Sequence, residues 1–358
     1  MEIEAGGAPE RDERKALGWF VTYTPLELIE AAGLRPHRIL GSVKIISQAG
    51  ALLQGNVCSY ALSALDCGLE GEYSFLSGIV VLNYCDATRR LYDAWVHYLK
   101  PPFAYMIDFP KAQTPGAERF FYHELVRLKR GLESHFGTSI TDDKLEKSIT
   151  LYNETRSLLK QLYEMRKQNI PPITGSQTIG LMKEVVTGDR EKVNLKLRSL
   201  LADLKTTQGR AEDGAPRILL SGSLISDSRY VELIEECGAQ VVCDDLCMGM
   251  KYFDMEVKRN GEEPLRALSE GYIRKMPSSL IMDADKRVDN LIRLAREYRV
   301  KGIIHQVLKF CNPHITDVPY FRKRLREANI PMLFVEREQG FESGGQLKTR
   351  IQAFLEIL

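Results

Sequence analysis

Hydrophobic and polar positions alternate in blocks along this chain. Short apolar runs at GWFVTY (18–23), RPHRILGS (35–42), GIVVLNYC (78–85) and FAYMIDFP (103–110) are separated by segments of mixed polarity, several with apolar residues three or four apart. Runs of that length read as strands and such segments as helices, so this part predicts a parallel sheet covered on both faces. TPLELIEAAG (24–33) carries helix punctuation, with Thr24 expected as N-cap, Pro25 at the first helical position and Gly33 as the stop.

From about residue 117 to 168 the period is helical throughout. ERFFYHELVRLKRGLESHFG ends on Gly137, and DDKLEKSITLYNETRSLLKQLYEMRK follows. NIPPITGSQ (169–177) interrupts, two more helical stretches run to about 205, and TTQGRAEDGAP (206–216) reads as a polar linker. A second alternating unit then begins: strands RILLSG (217–222), QVVCDD (240–245), GIIHQVL (302–308) and PMLFVE (331–336), with helices at 228–238 and 284–299. The two units share more than rhythm. LELIEAAG (26–33) answers VELIEECG (231–238), and VLNYCD (81–86) answers VLKFCN (307–312). We read two related doubly wound α/β domains, residues 16–115 and 211–358, joined by a helical connector of residues 116–210, with residues 1–15 a flexible tail.

Composition narrows the class. A chain of 358 residues with 44% hydrophobic and 27% charged residues suits two globular domains, and no apolar run is long enough to span a bilayer. The polar start MEIEAGGAPERDERK lacks a signal peptide's positive end and apolar core. A net charge of +1, from 49 basic and 48 acidic residues, gives no general attraction to nucleic acid or to an anionic membrane. A cytoplasmic protein is expected, with its seven cysteines reduced.

The candidate chemistry lies in those cysteines. Cys85 and Cys311 each end a strand, where the crevice of an open α/β sheet lies. Asp86 and Asn312 are the expected N-caps of the helices that follow, and Pro313 suits a first helical position. Each thiol then stands beside a helix N-terminus, which favours a thiolate or an anionic centre bound to one. Cys58, in GNVCSYALSALDCG, also precedes a helix. Three thiolates from two domains, without a ligating histidine pattern, point to iron and sulfide over catalytic zinc. The alternative is three small buried cysteines, and spacing leaves this open because none forms a CxxC pair.

Cys67, Cys237 and Cys243 are expected to be structural, and Cys247 is a candidate fourth ligand. Gly222 and Ser223 could cradle an anion after a strand, without a GxGxxG or a Walker lysine. His305 reads as a core histidine, and His314 as the one facing the cleft. No Ser-His-Asp set or carboxylate pair is evident.

Taken in order, GNVCSYALSAL, NYCDATRRLYDAW, YHELVRLKRGLE, LYNETRSLL, LLSGSL, VVCDDLCMGMKYF, LKFCNPH and GGQLKTRIQAFLEIL resemble the subunits of the 2-hydroxyacyl-CoA dehydratase (component D) and ATP-dependent benzoyl-CoA reductase family. The resemblance implies two flavodoxin-like domains holding a [4Fe-4S] cluster through Cys58, Cys85 and Cys311. It also implies a homologous second subunit, a separate ATP-dependent iron–sulfur activator and an acyl-CoA substrate. One-electron reduction of the thioester carbonyl would let hydroxide leave and make the β-proton acidic, and an iron without a cysteine could act as Lewis acid on that carbonyl. The expected activity is that of a lyase, with the reductase as the alternative and a non-catalytic electron-relay subunit as a second. Serines in RKMPSSLIMD stand where relatives often carry cysteine, and no proton-abstracting carboxylate can be transferred.

Overall fold

Residues 14–206, 214–340 and 344–358 are described by a computed structural model. The expected tail therefore falls almost wholly outside the described residues, as does most of the 206–216 linker.

The first half runs β1 (Ala16–Trp19), α1 (Leu26–Ala31), β2 (Arg35–Arg38), α2 (Ser59–Leu69), β3 (Leu76–Asn83), α3 (Asp86–Ala94) and β4 (Ala104–Asp108). Four helices follow: α4 (Pro115–Phe136), α5 (Asp142–Met165), α6 (Gly175–Thr187) and α7 (Arg190–Leu204). The second half runs β5 (Arg217–Gly222), α8 (Arg229–Glu236), β6 (Gln240–Asp245), α9 (Met250–Phe253), α10 (Pro264–Arg274), α11 (Ala284–Glu297), β7 (Gly302–Leu308), α12 (Asn312–Glu327), β8 (Met332–Arg337) and α13 (Gly344–Leu355).

Among the described residues there are two four-stranded sheets, ordered β2-β1-β3-β4 and β6-β5-β7-β8, and every pairing is parallel. Numbered within each half, both orders are 2-1-3-4, so the duplication inferred from two short sequence matches is one of topology. The order reverses beside the first strand of each sheet, which opens a crevice at the strands' C-terminal ends. β7 is buried along its whole length, as a strand covered on both faces must be.

Three local expectations are corrected. β1 ends at Trp19 instead of running over 18–23, and α1 is capped at Pro25, because the Thr24 hydroxyl turns back to donate to the Val21 carbonyl at 2.7 Å. The N-caps of α3 and α12 are Cys85 and Cys311, one residue before the expected Asp86 and Asn312. Asp86 is instead the first helical residue, where its charge meets the positive end of the helix dipole.

The helices between the sheets touch both of them. Arg156 of α5 is ion-paired with Glu27 of α1, both buried. Tyr163 of α5 donates to the Asp244 carboxylate at 2.5 Å, and Arg166 donates to the Val241 carbonyl of β6 at 2.8 Å. The segment 246–283 after β6, unassigned by the hydrophobic pattern, packs Leu265, Leu268 and Tyr272 of α10 into the core that α1, α4 and α5 share. This one core fixes how the two crevices face each other.

Candidate functional site

Cys58, Cys85 and Cys311 are the N-cap residues of α2, α3 and α12. All three border one cavity of about 120 Å³. At Cys85 the thiol stands in for the usual cap oxygen: Sγ accepts from the Thr88 amide at 3.4 Å while Thr88 Oγ1 accepts from the Cys85 amide at 3.0 Å. Burial pushes the Cys58 thiol up to about 12 and Cys311 to about 11, with neighbouring cysteines adding to the shift, so both are neutral as they stand. Ionising them requires a positive charge nearby.

Two cations are already built into the wall. Arg38, at the end of β2, and Lys251, in α9, both line the cavity and are both buried, whereas among the described residues no aspartate or glutamate lines it. Lys251 donates to the Asp245 carboxylate and to the Asp245 carbonyl at 3.0 Å. Arg38 donates to Cys247 twice, to the carbonyl oxygen at 2.9 Å and to Sγ at 3.2 Å. Neither was singled out from the sequence. Arg38 lies in a run read as a strand and Lys251 in VVCDDLCMGMKYF, quoted only for the family resemblance, and no pattern marks a strand-end arginine as cavity-facing.

The rest of the wall is largely apolar, from Phe20, Val21, Leu91, Leu224 and Leu308, and offers water few hydrogen-bonding partners there. Its rim is tied across the two halves. The Tyr84 and Ser278 hydroxyls are hydrogen-bonded, the Ser278 amide donates to Tyr23 Oη at 3.0 Å, and the Gln339 amide donates to Ser59 Oγ at 2.9 Å.

The other sequence candidates divide. His314, Cys247, Gly222 and Ser223 do line the cavity. His305 is fully buried in β7 with Nδ1 3.2 Å from Ser221 Oγ, and burial pushes its pKa down to about 4. Cys243 is buried in β6, Cys67 lies within α2 and Cys237 caps the end of α8, all away from the cavity lining. Ser278 and Ser279, in the segment where cysteine was expected of relatives, also form part of the wall.

What this donor set can hold follows from its chemistry. Among the described residues no three His, Cys, Asp or Glu side chains form a group able to hold one metal ion. An iron–sulfur cluster spreads its thiolate ligands over separate irons several ångströms apart, so three cysteines around one cavity suit it where they would not suit a bare ion. Soft thiol donors, a cationic wall without carboxylates among the described residues and a largely apolar lining all fit an anionic iron–sulfur group.

The comparisons with known proteins agree with the fold-wide resemblance. The chain is 27% identical over 350 residues to the (R)-phenyllactyl-CoA dehydratase beta subunit of Clostridium sporogenes, covering 98% of this chain and 93% of that one. It is 27% identical over 348 residues to the beta subunit of lactoyl-CoA dehydratase of Anaerotignum propionicum (96% and 91% covered), and 26% over 344 residues to a benzoyl-CoA reductase subunit of Thauera aromatica (94% and 88%). The family model described as 2-hydroxyglutaryl-CoA dehydratase, D-component, matches residues 21–358, and the chain belongs to that family.

Proposed function

We propose that this chain is the iron–sulfur subunit of a 2-hydroxyacyl-CoA dehydratase, working with a homologous second subunit and an ATP-dependent activator. In this reading Cys58, Cys85 and Cys311 hold a [4Fe-4S] cluster. The observation that carries it is that three N-cap thiols, drawn from both sheets, border one cavity with two buried cations and no described carboxylate in its wall. When bound, the cluster would supply a single electron at low potential to thioester chemistry, with one iron left short of a protein ligand.

The residues of this chain have definable tasks. The three cysteines bind, giving up their protons as they do so. The apolar wall keeps water out, and amide groups at the helix starts donate to sulfur, as Thr88 does to Cys85. Ser223 is a second such support: its Oγ accepts from the Leu308 amide at 3.1 Å, and a hydrogen bond to Cys311 makes that thiol more acidic than burial alone would leave it.

A second reading, an electron-relay subunit without its own substrate pocket, is supported by the size of the cavity. About 120 Å³ is small for a cluster together with a CoA thioester arm. Reductase activity on aroyl-CoA thioesters is the alternative chemistry, supported by the similarity to the benzoyl-CoA reductase subunit.

The test is anaerobic purification of the full chain with iron and sulfide analysis. About four of each per chain are expected for a cubane, and zinc or no metal refutes the assignment. Assaying the chain with its partner and activator against 2-hydroxyacyl-CoA and aroyl-CoA thioesters separates dehydratase from reductase. Binding of a CoA thioester to the chain alone, by calorimetry, would exclude the relay reading.

A further inference from the structure

Arg38 is a buried cation without a buried anion to match it. Its exposure is 2%, and among the described residues no carboxylate forms an ion pair with it. Its contacts are the carbonyl and sulfur of Cys247 and the face of Trp19, whose ring centroid lies 4.8 Å from the guanidinium carbon. Its Nε hydrogen has no acceptor among the described residues. An isolated guanidinium is costly to bury, so such a group is retained where an anion comes to meet it. Lys251, on the opposite side of the sequence duplication, shows the contrast, because Asp245 neutralises it.

The void that Arg38 borders is the one the three thiols border. Resting on the cluster reading above, we propose that Arg38 is a positioning residue whose charge offsets that of the anionic cluster and raises its reduction potential. Reduction adds one negative charge to the centre, and a fixed cation in a water-poor wall favours the state with more negative charge. Arginine suits the task because it stays protonated under any working condition. Cys247, in this arrangement, is the contact that fixes the guanidinium through its carbonyl oxygen and sulfur, and it is not required as a ligand.

The experiment is a dye-mediated redox titration of the full chain, purified anaerobically and followed by electron paramagnetic resonance, for wild type, Arg38→Met, Arg38→Lys and Cys247→Ala. Arg38→Met should keep its iron and become at least tenfold harder to reduce, a shift of about 59 mV to the negative for a one-electron couple. Arg38→Lys should restore most of that shift, and Cys247→Ala, which removes the sulfur contact but keeps the carbonyl acceptor, should move the midpoint clearly less than Arg38→Met does. Should Arg38→Met fail to hold iron, Arg38→Gln, which keeps a hydrogen-bonding group without the charge, is titrated in its place, with the same negative shift expected. A wild-type midpoint in iron-loaded Arg38→Met overturns it. So does an equal shift in Arg38→Lys, which would mean packing and not charge, or an equal shift in Cys247→Ala, which would route the effect through sulfur. Wild-type protein without iron would instead overturn the cluster reading on which this rests.

Discussion

Gly222 ends β5 directly before the cavity, and replacing it by alanine should cost far more than an ordinary glycine substitution. Its φ is +114°, a region that L side chains rarely adopt, and an added Cβ would stand 1.8 Å from the Gln306 carbonyl oxygen of the neighbouring strand β7. The backbone term is worth roughly 1–3 kcal/mol. The overlap adds roughly another 1–3 kcal/mol, because the obstacle is the backbone of a central strand that cannot step aside alone. We expect Gly222→Ala to lose roughly 2–6 kcal/mol in urea unfolding of the reduced, metal-free chain. Gly33→Ala is the control, since Gly33 also has a left-handed φ, +78°, but nothing lies within 4 Å of its added Cβ, so only about 1 kcal/mol should be lost. The displaced strand end carries Ser223 beside Cys311, so iron content should fall in Gly222→Ala and not in Gly33→Ala. Equal losses in the two variants would refute the argument from close approach.

His305 supplies a pH dependence. Burial lowers its pKa from 6.5 to about 4, so its contribution is complete above pH 6.5 and is lost as the pH falls toward 4. Over that window stability should drop by up to about 3 kcal/mol, and the drop should flatten in His305→Gln; an unchanged slope would exclude His305 as the source. Asp317 holds Arg287 through two hydrogen bonds, at 2.9 and 2.6 Å, with both residues buried. Asp317→Ala strands that guanidinium and should cost roughly 3–5 kcal/mol in thermal or urea unfolding, whereas a loss under about 1 kcal/mol would mean that water reaches it. Cys243→Ser buries a hydroxyl in place of sulfur in β6 and should cost roughly 1–3 kcal/mol while leaving iron content unchanged; loss of iron in that variant would bring Cys243 into the site.

The strands and long helices were legible because each carries its own period. Buried parallel strands such as 302–308 read as unbroken apolar runs, and Gly137 does end α4 in a left-handed conformation. The three cysteines were legible as strand-end or loop thiols ahead of helices. The cap itself was misplaced by one residue because Asp and Asn are the habitual capping residues, and nothing in a sequence shows sulfur taking that place. Arg38 and Lys251 were out of reach for a different reason. A charged residue within β2 or α9 reads as surface, and its burial depends on the fold of the other half of the chain, which local pattern does not contain. The insertion 246–283 was unassigned because its helices are short and α10 buries its residues against α4 and α5, far from it in sequence.

The cap geometry supplies its own test of the site, because it lets scaffold and ligand be changed separately. Serine is among the best N-cap residues, and at position 85 it can accept from the Thr88 amide as sulfur does, leaving the reciprocal Thr88 bond in place. Alanine can make neither the cap bond nor a metal bond. In the metal-free chain Cys85→Ser should therefore unfold within about 0.5 kcal/mol of wild type, while Cys85→Ala should lose about 1 kcal/mol. Both should lose iron, since a hydroxyl is a poor ligand for the soft irons of a cluster. Iron retained in Cys85→Ser and lost in Cys85→Ala would mean that the helix start, and not the thiol, is what the site requires. Iron lost equally in both, with stability lost only in the alanine variant, assigns the two roles of Cys85 to one sulfur atom.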